Sequence, residues 1–462
     1  MTKMFLSRYI IETISPMAIN SGRREVGFDT QLARDVNNLP YIPSTSFTGV
    51  WRHLAQALLS EKVAQQWFGD LKLSDEAKRT PKLHIHHGLL LDGRSQVVLG
   101  LLPKSRVEGD DLLQRLAQAR PHFRDHVRIN DRGVATEMGK YDTILLPKGV
   151  RFCVDVRWQG DESFEASWQQ VEELLTHPQF ALGASTRNGL GRFKIIANET
   201  KRLAPQGNPS AGAELTQFIR REQLPSTRSL KDSTHQVFAT LELKALDVWR
   251  CGKGTRPFGK ADDHTDSFVY SEPYIEWQGQ QGIWQEKPQA VLCGSSVKGI
   301  LAHRLAYHYR RLTGAYAEDM AGESHSSWQK RPDALRDLLG DDTQDNDKHL
   351  AGRLIVEDVV VEDVQPMVRT HNSIDRFTGG VRMGALYSEE VLWQPRFTLK
   401  LQVVPGTRIS PQLKEALKAT LADLRDGLLP LGAGSGRGNS LVMGNTDKWE
   451  IDWEQIALEE AV

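Results

Sequence analysis

Residues able to do chemistry recur twice in this chain. An aspartate in a polar loop, Asp29 in FDTQLARDVNNLP and Asp266 in DSFVYSEP, precedes a short apolar run. A small-residue turn then follows, Ser44 to Gly49 or Cys293 to Gly299, and opens an amphipathic helix. A helix start rich in Ser and Gly leaves backbone N–H groups free to meet an anion such as a phosphate. The plainer reading of each aspartate is a solvated side chain capping its turn.

Two glycine-rich segments, GASTRNGLGR and GAGSGRGN, add a second kind of anion contact. Neither ends in the Gly-Lys-Ser/Thr that places a lysine on nucleotide phosphates, and neither leads into a helix, so the segments give little support to ATPase or dinucleotide chemistry. Each carries an arginine within its turn, Arg187 and Arg437; such loops hold a sugar-phosphate backbone by close main-chain approach, or are plain turns. Asn188 stands beside Arg187. The stretch HNSIDRFTGGVRMGALYSEEVLW, His371 to Trp393, sets basic Arg376 and Arg382 beside apolar Phe377, Met383 and Leu386 around a Gly-Gly pair. A basic loop with apolar tips can wedge between stacked bases; the bland alternative is a hairpin packed on its own domain.

The elements that position these residues form a duplication. Each half opens with an alternating strand, MFLSRYIIETIS or QVFATLELKALDVW, followed by the aspartate loop and a helix. The helices, Val50 to Leu59 and Ile300 to Arg311, carry Arg52 and Arg304 among their apolar positions. WFGD then answers LLGD (Leu338 to Asp341), strand-like KLHIHHGLLLDG answers RLIVEDVVVEDV, and the glycine-rich segments close the pattern. The spacing predicts a domain over 1–198, a polar linker over 199–233 that holds about one helical turn, and a second domain over 234–462. Mixed strands and helices with long connections, Pro103 to Tyr141 and Gln365 to Leu386, predict α+β units on an antiparallel sheet.

Composition narrows the class. The 58 basic and 59 acidic residues leave a net charge of −1, so any groove for nucleic acid is local. Three separated cysteines exclude a disulfide framework, and the N-terminal apolar run is too short for a signal peptide or a membrane span. A cytoplasmic protein without membrane contact is expected. His84, His86 and His87 lie on one strand-like run, but lack the cysteine or carboxylate partners of a zinc site. His126 and His371 stand where they could touch RNA.

IDRFTGGVRMGALYSEEV, the PSTSFTG and GSSVKG turns, RLIVEDV and LGAGSGRGN together resemble the RAMP proteins of type III CRISPR effector complexes, specifically their backbone (Cas-seven) subunits. The resemblance covers both halves, as in a fusion of two such subunits. It implies two tandem ferredoxin-like, RNA-recognition-type domains, each with a long thumb-like hairpin. It also implies guide (CRISPR) RNA, complementary target RNA and other effector subunits as partners. The turns, with Ser46 and Thr48 in the first and Ser296 and Lys298 in the second, would lie on the guide backbone. In that family an Asp in this loop serves metal-dependent cleavage of target RNA. The resemblance therefore assigns Asp29, and with a less complete match Asp266, as catalytic and as ligands of Mg²⁺ or another divalent cation. Ser271-Glu272 replace Arg34-Asp35 near Asp266, and an insert, Trp277 to Gln289, separates Asp266 from its turn.

On this reading each thumb displaces a target nucleotide, and the adjacent linkage rotates toward in-line attack by its 2′-hydroxyl. The aspartate would position or deprotonate that hydroxyl, and two such sites would cut at a regular spacing. A non-catalytic scaffold for guide RNA is the alternative. A guide-maturing endoribonuclease would need a His or Tyr/Lys set beside a glycine-rich loop, and none is evident.

Overall fold

A computed structural model describes residues 3–70, 80–130, 134–161, 164–203, 210–221, 223–233, 237–259, 261–262, 264–320, 322, 331–340 and 351–459. The first half runs β1 (Lys3–Thr13), α1 (Ser44–Leu58), α2 (Glu61–Phe68), β2 (Leu83–Ile85), β3 (His122–Ile129), β4 (Ala135–Leu145), β5 (Arg151–Gly160), α3 (Glu165–Glu173) and β6 (Phe193–Leu203). Its main sheet has the order β2-β5-β1-β6, antiparallel throughout. With β3 and β4 set aside as an inserted hairpin, this is the βαββαβ path of a ferredoxin-like fold. Helix α1 buries Phe47, Trp51, Leu54 and Ala55, one stripe at helical spacing, against that sheet.

β1 was expected to be half-buried, yet both of its faces are covered. The cause is the stretch assigned to the linker. β6 extends into it as far as Leu203, and helix α4 (Ala211–Arg220) lies on the outer sheet face, where Phe218 packs with Leu6 and Leu203. Arg8, 1% exposed, pairs with Asp155 at 2.8 Å and donates to the carbonyl of Phe218. Residues 204–209 and 222 of that stretch lie outside the described residues.

The second half repeats the plan with β7 (Ala239–Ala245), a small hairpin β8 (Ile275–Gln278) and β9 (Gln281–Trp284), α5 (Gly294–Thr313), β10 (Leu354–Val356), β11 (Pro366–His371), β12 (Tyr387–Trp393), β13 (Arg396–Val403), α6 (Pro411–Arg425) and β14 (Val442–Ile451). Its sheet order, β10-β13-β7-β14, is the first half's order again. The α+β class and the two ferredoxin-like units are therefore as expected. Asp341 of the LLGD landmark lies outside the described residues.

The long connections end in hairpins, the first after two short helices, Lys104–Glu108 and Asp111–Ala117. β3 pairs with β4 from His122↔Leu145 outward, and β11 pairs with β12 from Pro366↔Leu392 to His371↔Tyr387. The insert at 277–289 is also structured. β8 and β9 form a clasp that reaches back onto the first half, burying Ile275 in the first core and donating from Trp277 Nε1 to the carbonyl of Gly149 at 2.7 Å. Arg151 lies over the Trp277 ring at 3.8 Å.

Candidate nucleic-acid interface

The aspartate loops are placed alike, each against the second strand of its hairpin. Asp29 donates from its backbone N–H to Asp142 Oδ1 at 3.0 Å, and its own Oδ2 accepts from the Asp142 N–H at 3.1 Å. Asp266 donates its N–H to the carbonyl of Ser388 at 3.1 Å, and its Oδ2 accepts from the Ser388 N–H at 2.8 Å. The residue just before each contact is a tyrosine stacked on a cross-strand histidine. Tyr141 lies on His126 at 4.7 Å, and Tyr387 lies on His371 at 4.8 Å. Each half thus presents one Asp–His–Tyr group at its hairpin base. Sequence reading missed both tyrosines because strand pairing, not spacing along the chain, brings them to their histidines.

The two copies differ in what surrounds them. Asp29 is exposed and lines an open concavity of about 500 Å³ with Arg24, Glu25, Lys140, Tyr141 and Asp142. Asp29 and Asp142 together offer two carboxylates, a donor set that suits a hydrated Mg²⁺ sharing its remaining positions with a phosphate. Asp266 has Ser388 where Asp29 has Asp142, so it offers one carboxylate and fits such an ion less well. Among the described residues no cluster of three or more His, Cys, Asp or Glu side chains is arranged to hold a metal.

Beside Asp266 the scaffold is charged and buried. Glu390, fully buried, accepts the N–H groups of Phe258, Gly259, Ala261 and Val269 and so shapes the loop. Glu389, 1% exposed, accepts from Asn439 at 3.0 Å and Arg250 at 3.2 Å and meets His371 Nε2 at 2.9 Å. Burial opposes the Glu389 charge, but Arg250, Asn439 and Arg437 outweigh it and lower its pKa. Arg437 is thereby held 5.6 Å above the Tyr387 ring.

The glycine-rich loops need one correction. In each, a left-handed residue opens a three-residue turn and a left-handed glycine closes it: Ser185 and Gly189 around Thr186–Asn188, Gly434 and Gly438 around Ser435–Arg437. Arg437 therefore occupies the place of Asn188, and Arg187 that of Gly436. Arg187 instead faces the second half.

That junction gathers the predicted phosphate contacts from both halves. Gly189, at φ +96°, and Gly294 have no room for a Cβ: one would sit 2.5 Å from the Asp358 nitrogen, the other 2.8 Å from the Asn188 carbonyl. Lys298, 9% exposed, makes no ion pair among the described residues. Burial, then the neighbouring Arg187 and Arg331, push its pKa down to about 8. A buried ammonium facing other cations is a site short of an anion.

The helix starts themselves are partly occupied. α1 and α5 begin at Ser44 and Gly294, so the small-residue turns are first helical turns. The Ser44 N–H is taken by His87 Nδ1 at 2.9 Å and the Gly294 N–H by Asp358 Oδ1 at 2.8 Å. Ser46 and Thr48 are half-buried and Ser296 is exposed, on the first turns of these helices. Arg52 and Arg304 do not join the interface. Arg52, buried, donates to the Gly69 carbonyl at the end of α2, and Arg304 pairs with Asp423 on α6. Phe377, Met383, Arg376 and Arg382 lie exposed at the second hairpin's tip, beyond a turn that Asp375 caps. Met138 is exposed on the first hairpin, whose residues 131–133 lie outside the described residues.

The first hairpin is locked into the second half both near its base and near its tip. Arg124, 2% exposed, donates to Glu272 at 2.6 Å and to Asp358 at 2.6 Å, and His303 of α5 meets the Ile129 carbonyl at 3.2 Å. Burial opposes the Glu272 charge, yet Arg124 holds that carboxyl well below its usual range, while burial pushes Asp358 up. The pairing of Glu272 and Asp358 through Arg124 was not readable in the sequence because Arg124 stands far away along the chain.

The family model of the RAMP superfamily matches residues 10–194 and 287–442, well over half of the chain. This chain is a RAMP protein. One matched region falls in each repeated half, so it carries two RAMP units in tandem. Among solved structures, one chain of "Cryo-EM structure of the Type III-B Cmr-beta bound to cognate target RNA" aligns with this RAMP protein at 17% identity and a TM-score of 0.29. The alignment covers 43% of this chain and 61% of that one, so it spans less than two thirds of that chain's length. No curated protein matches. Among the described residues no helix is long and apolar enough to cross a membrane.

Proposed function

We propose that this protein is a guide-RNA-binding backbone subunit of a type III CRISPR effector complex. It holds a guide/target duplex and cleaves the target RNA at Asp29 and Asp266. The observation that carries the reading is the repeated Asp–His–Tyr group at two hairpin bases, beside a junction where buried Lys298 and half-buried Arg187 pair with no carboxylate among the described residues. Membership of the RAMP superfamily and the IDRFTGG and GSSVKG segments support the CRISPR assignment.

RNA phosphates would lie along Arg187, Lys298 and the glycine-rich loops, while the hairpin tips, with Phe377 and Met383, enter the base stack. At Asp29 the carboxylates of Asp29 and Asp142 would hold a divalent cation, which when bound supplies charge stabilisation at the scissile phosphate. The chain's own groups orient the substrate: the loop hydrogen bonds fix each aspartate against its strand, and the His–Tyr stack walls the site.

A non-catalytic scaffold is the second reading, favoured by the hydrogen bonds that Asp29 and Asp266 make to hairpin backbone. Asn substitution separates the two, since its side-chain carbonyl still accepts those N–H groups while the charge is lost. Asp29→Asn in the assembled complex should remove one cleavage product and leave guide binding intact; unchanged products would leave the scaffold.

A further inference from the structure

The first hairpin's seat in the second half is a template for what the second hairpin needs. Counting back two residues from the stacked histidine, Arg124 (before His126) corresponds to Arg369 (before His371). Arg124 is enclosed by Glu272 and Asp358 of the following unit. Arg369 is half-buried, and its guanidinium reaches only Asn439 Oδ1, at 3.4 Å, among the described residues.

A second copy of this chain does not complete that seat. By the same repeat, the first half's counterparts of Glu272 and Asp358 are Asp35 and His87, since His87 meets Ser44 as Asp358 meets Gly294. The Asp35 carboxylate is directed into its own turn, Oδ1 accepting the N–H groups of Asn37, at 2.9 Å, and Leu39, at 2.8 Å, and Oδ2 accepting Asn37 Nδ2 at 3.0 Å, and His87 carries no negative charge to pair with a guanidinium. The first half also has a tight turn at Asp35–Leu39 where the second has its β8–β9 clasp. Neither the paired carboxylates nor the clasp is present to receive Arg369.

We infer that the base of the second hairpin, centred on Arg369, docks on a different polypeptide that presents two converging carboxylates, as Glu272 and Asp358 do here, and not on a second copy of this chain. This rests on the reading of the protein as one subunit of a larger assembly. The partner differs from the internal template at one further point: Leu441 stands where Arg192 pairs with Glu357, so it meets an apolar residue there. The assembly is thereby asymmetric, with this chain entering once at a given junction.

The test is Arg369→Glu and Arg369→Lys in the full chain, isolated through a tag as the assembled complex. Native mass spectrometry reads the composition, and a synthetic single-stranded RNA reads the affinity of the lone chain. Arg369→Glu should lower recovery of one adjacent, non-identical subunit by at least about tenfold, while Arg369→Lys retains most of it. The lone variant should keep its melting temperature and bind the RNA within a few-fold of the parent. Three results overturn the inference: Arg369→Glu complexes of unchanged composition; a lost neighbour that is another copy of this chain; or collapse of RNA affinity with composition intact, which makes Arg369 an RNA contact. A parent chain recovered without any other subunit refutes the assembly reading itself, and is told apart because it requires no variant.

Discussion

Replacing Arg124 by Met tests the junction most directly. Its side chain is 2% exposed and bridges two carboxylates whose side chains are 6% and 7% exposed. Removing the guanidinium leaves two buried acids facing each other, with only the His122 imidazole, 3.5 Å from Glu272, as a counter-charge among the described residues when it is protonated. Breaking a buried ion pair by removing one partner costs about 3–5 kcal/mol. Two such pairs are lost, but adjacent carboxylates do not both stay ionised, so one takes up a proton and limits the loss. We expect about 4 kcal/mol at neutral pH, read as an earlier urea transition by tryptophan fluorescence, with Trp277 and Trp284 reporting on the junction.

The pH dependence supplies a second signature. In Arg124→Met the carboxyls of Glu272 and Asp358 have folded-state pKa values above their unfolded ones. Their protonated forms then fit the fold, so the deficit shrinks as pH falls. The recovery is up to about 1.4 kcal/mol per pH unit for each proton taken up. Arg124→Met/Glu272→Gln/Asp358→Asn should recover more than half of the loss at neutral pH. A loss below about 1 kcal/mol, a deficit independent of pH, or a triple variant no better than the single one would refute the reasoning.

Other expectations follow from the same geometry. RNA binding by the lone chain should weaken as pH rises above about 8, where Lys298 loses its proton, and Lys298→Arg should flatten that profile across pH 7–9. His126, whose pKa is lowered to about 4 by burial and Arg124, is neutral when folded; the unfolded chain binds a proton below about 6.5, so stability falls between about pH 6.5 and 4. That loss is at most about 3 kcal/mol, and His126→Gln should abolish it in urea titrations at each pH. Ile275→Ala, at a residue 4% exposed in the first half's core, should cost about 2–4 kcal/mol and loosen the clasp, seen as faster proteolysis within 277–289. Asp29→Asn and Asp266→Asn should each delete one target-cleavage product on a sequencing gel, and the double variant both.

Much of this protein was legible along the chain. The duplication, the α+β class and the strand-to-helix order follow from apolar periodicity, and the glycine-rich loops and aspartate loops announce themselves by composition. These are local properties, decided by which side chains suit a strand, a helix start or a turn. The tertiary structure decided what those elements meet. It covered the outer face of β1 with a segment that looks like a linker, because Arg8 and Phe218 find their partners only when the chain folds back. It turned an insert into a clasp, and shifted the two glycine-rich loops by one residue, because left-handed backbone positions, not arginines, set their register. Arg52 and Arg304 look like RNA contacts in sequence and are spent on helix ends. Tyr141 and Tyr387 look incidental and join the sites. Arg124, Glu272 and Asp358 are unremarkable charges until burial brings them together, where the low dielectric makes each one's partner a condition of the fold.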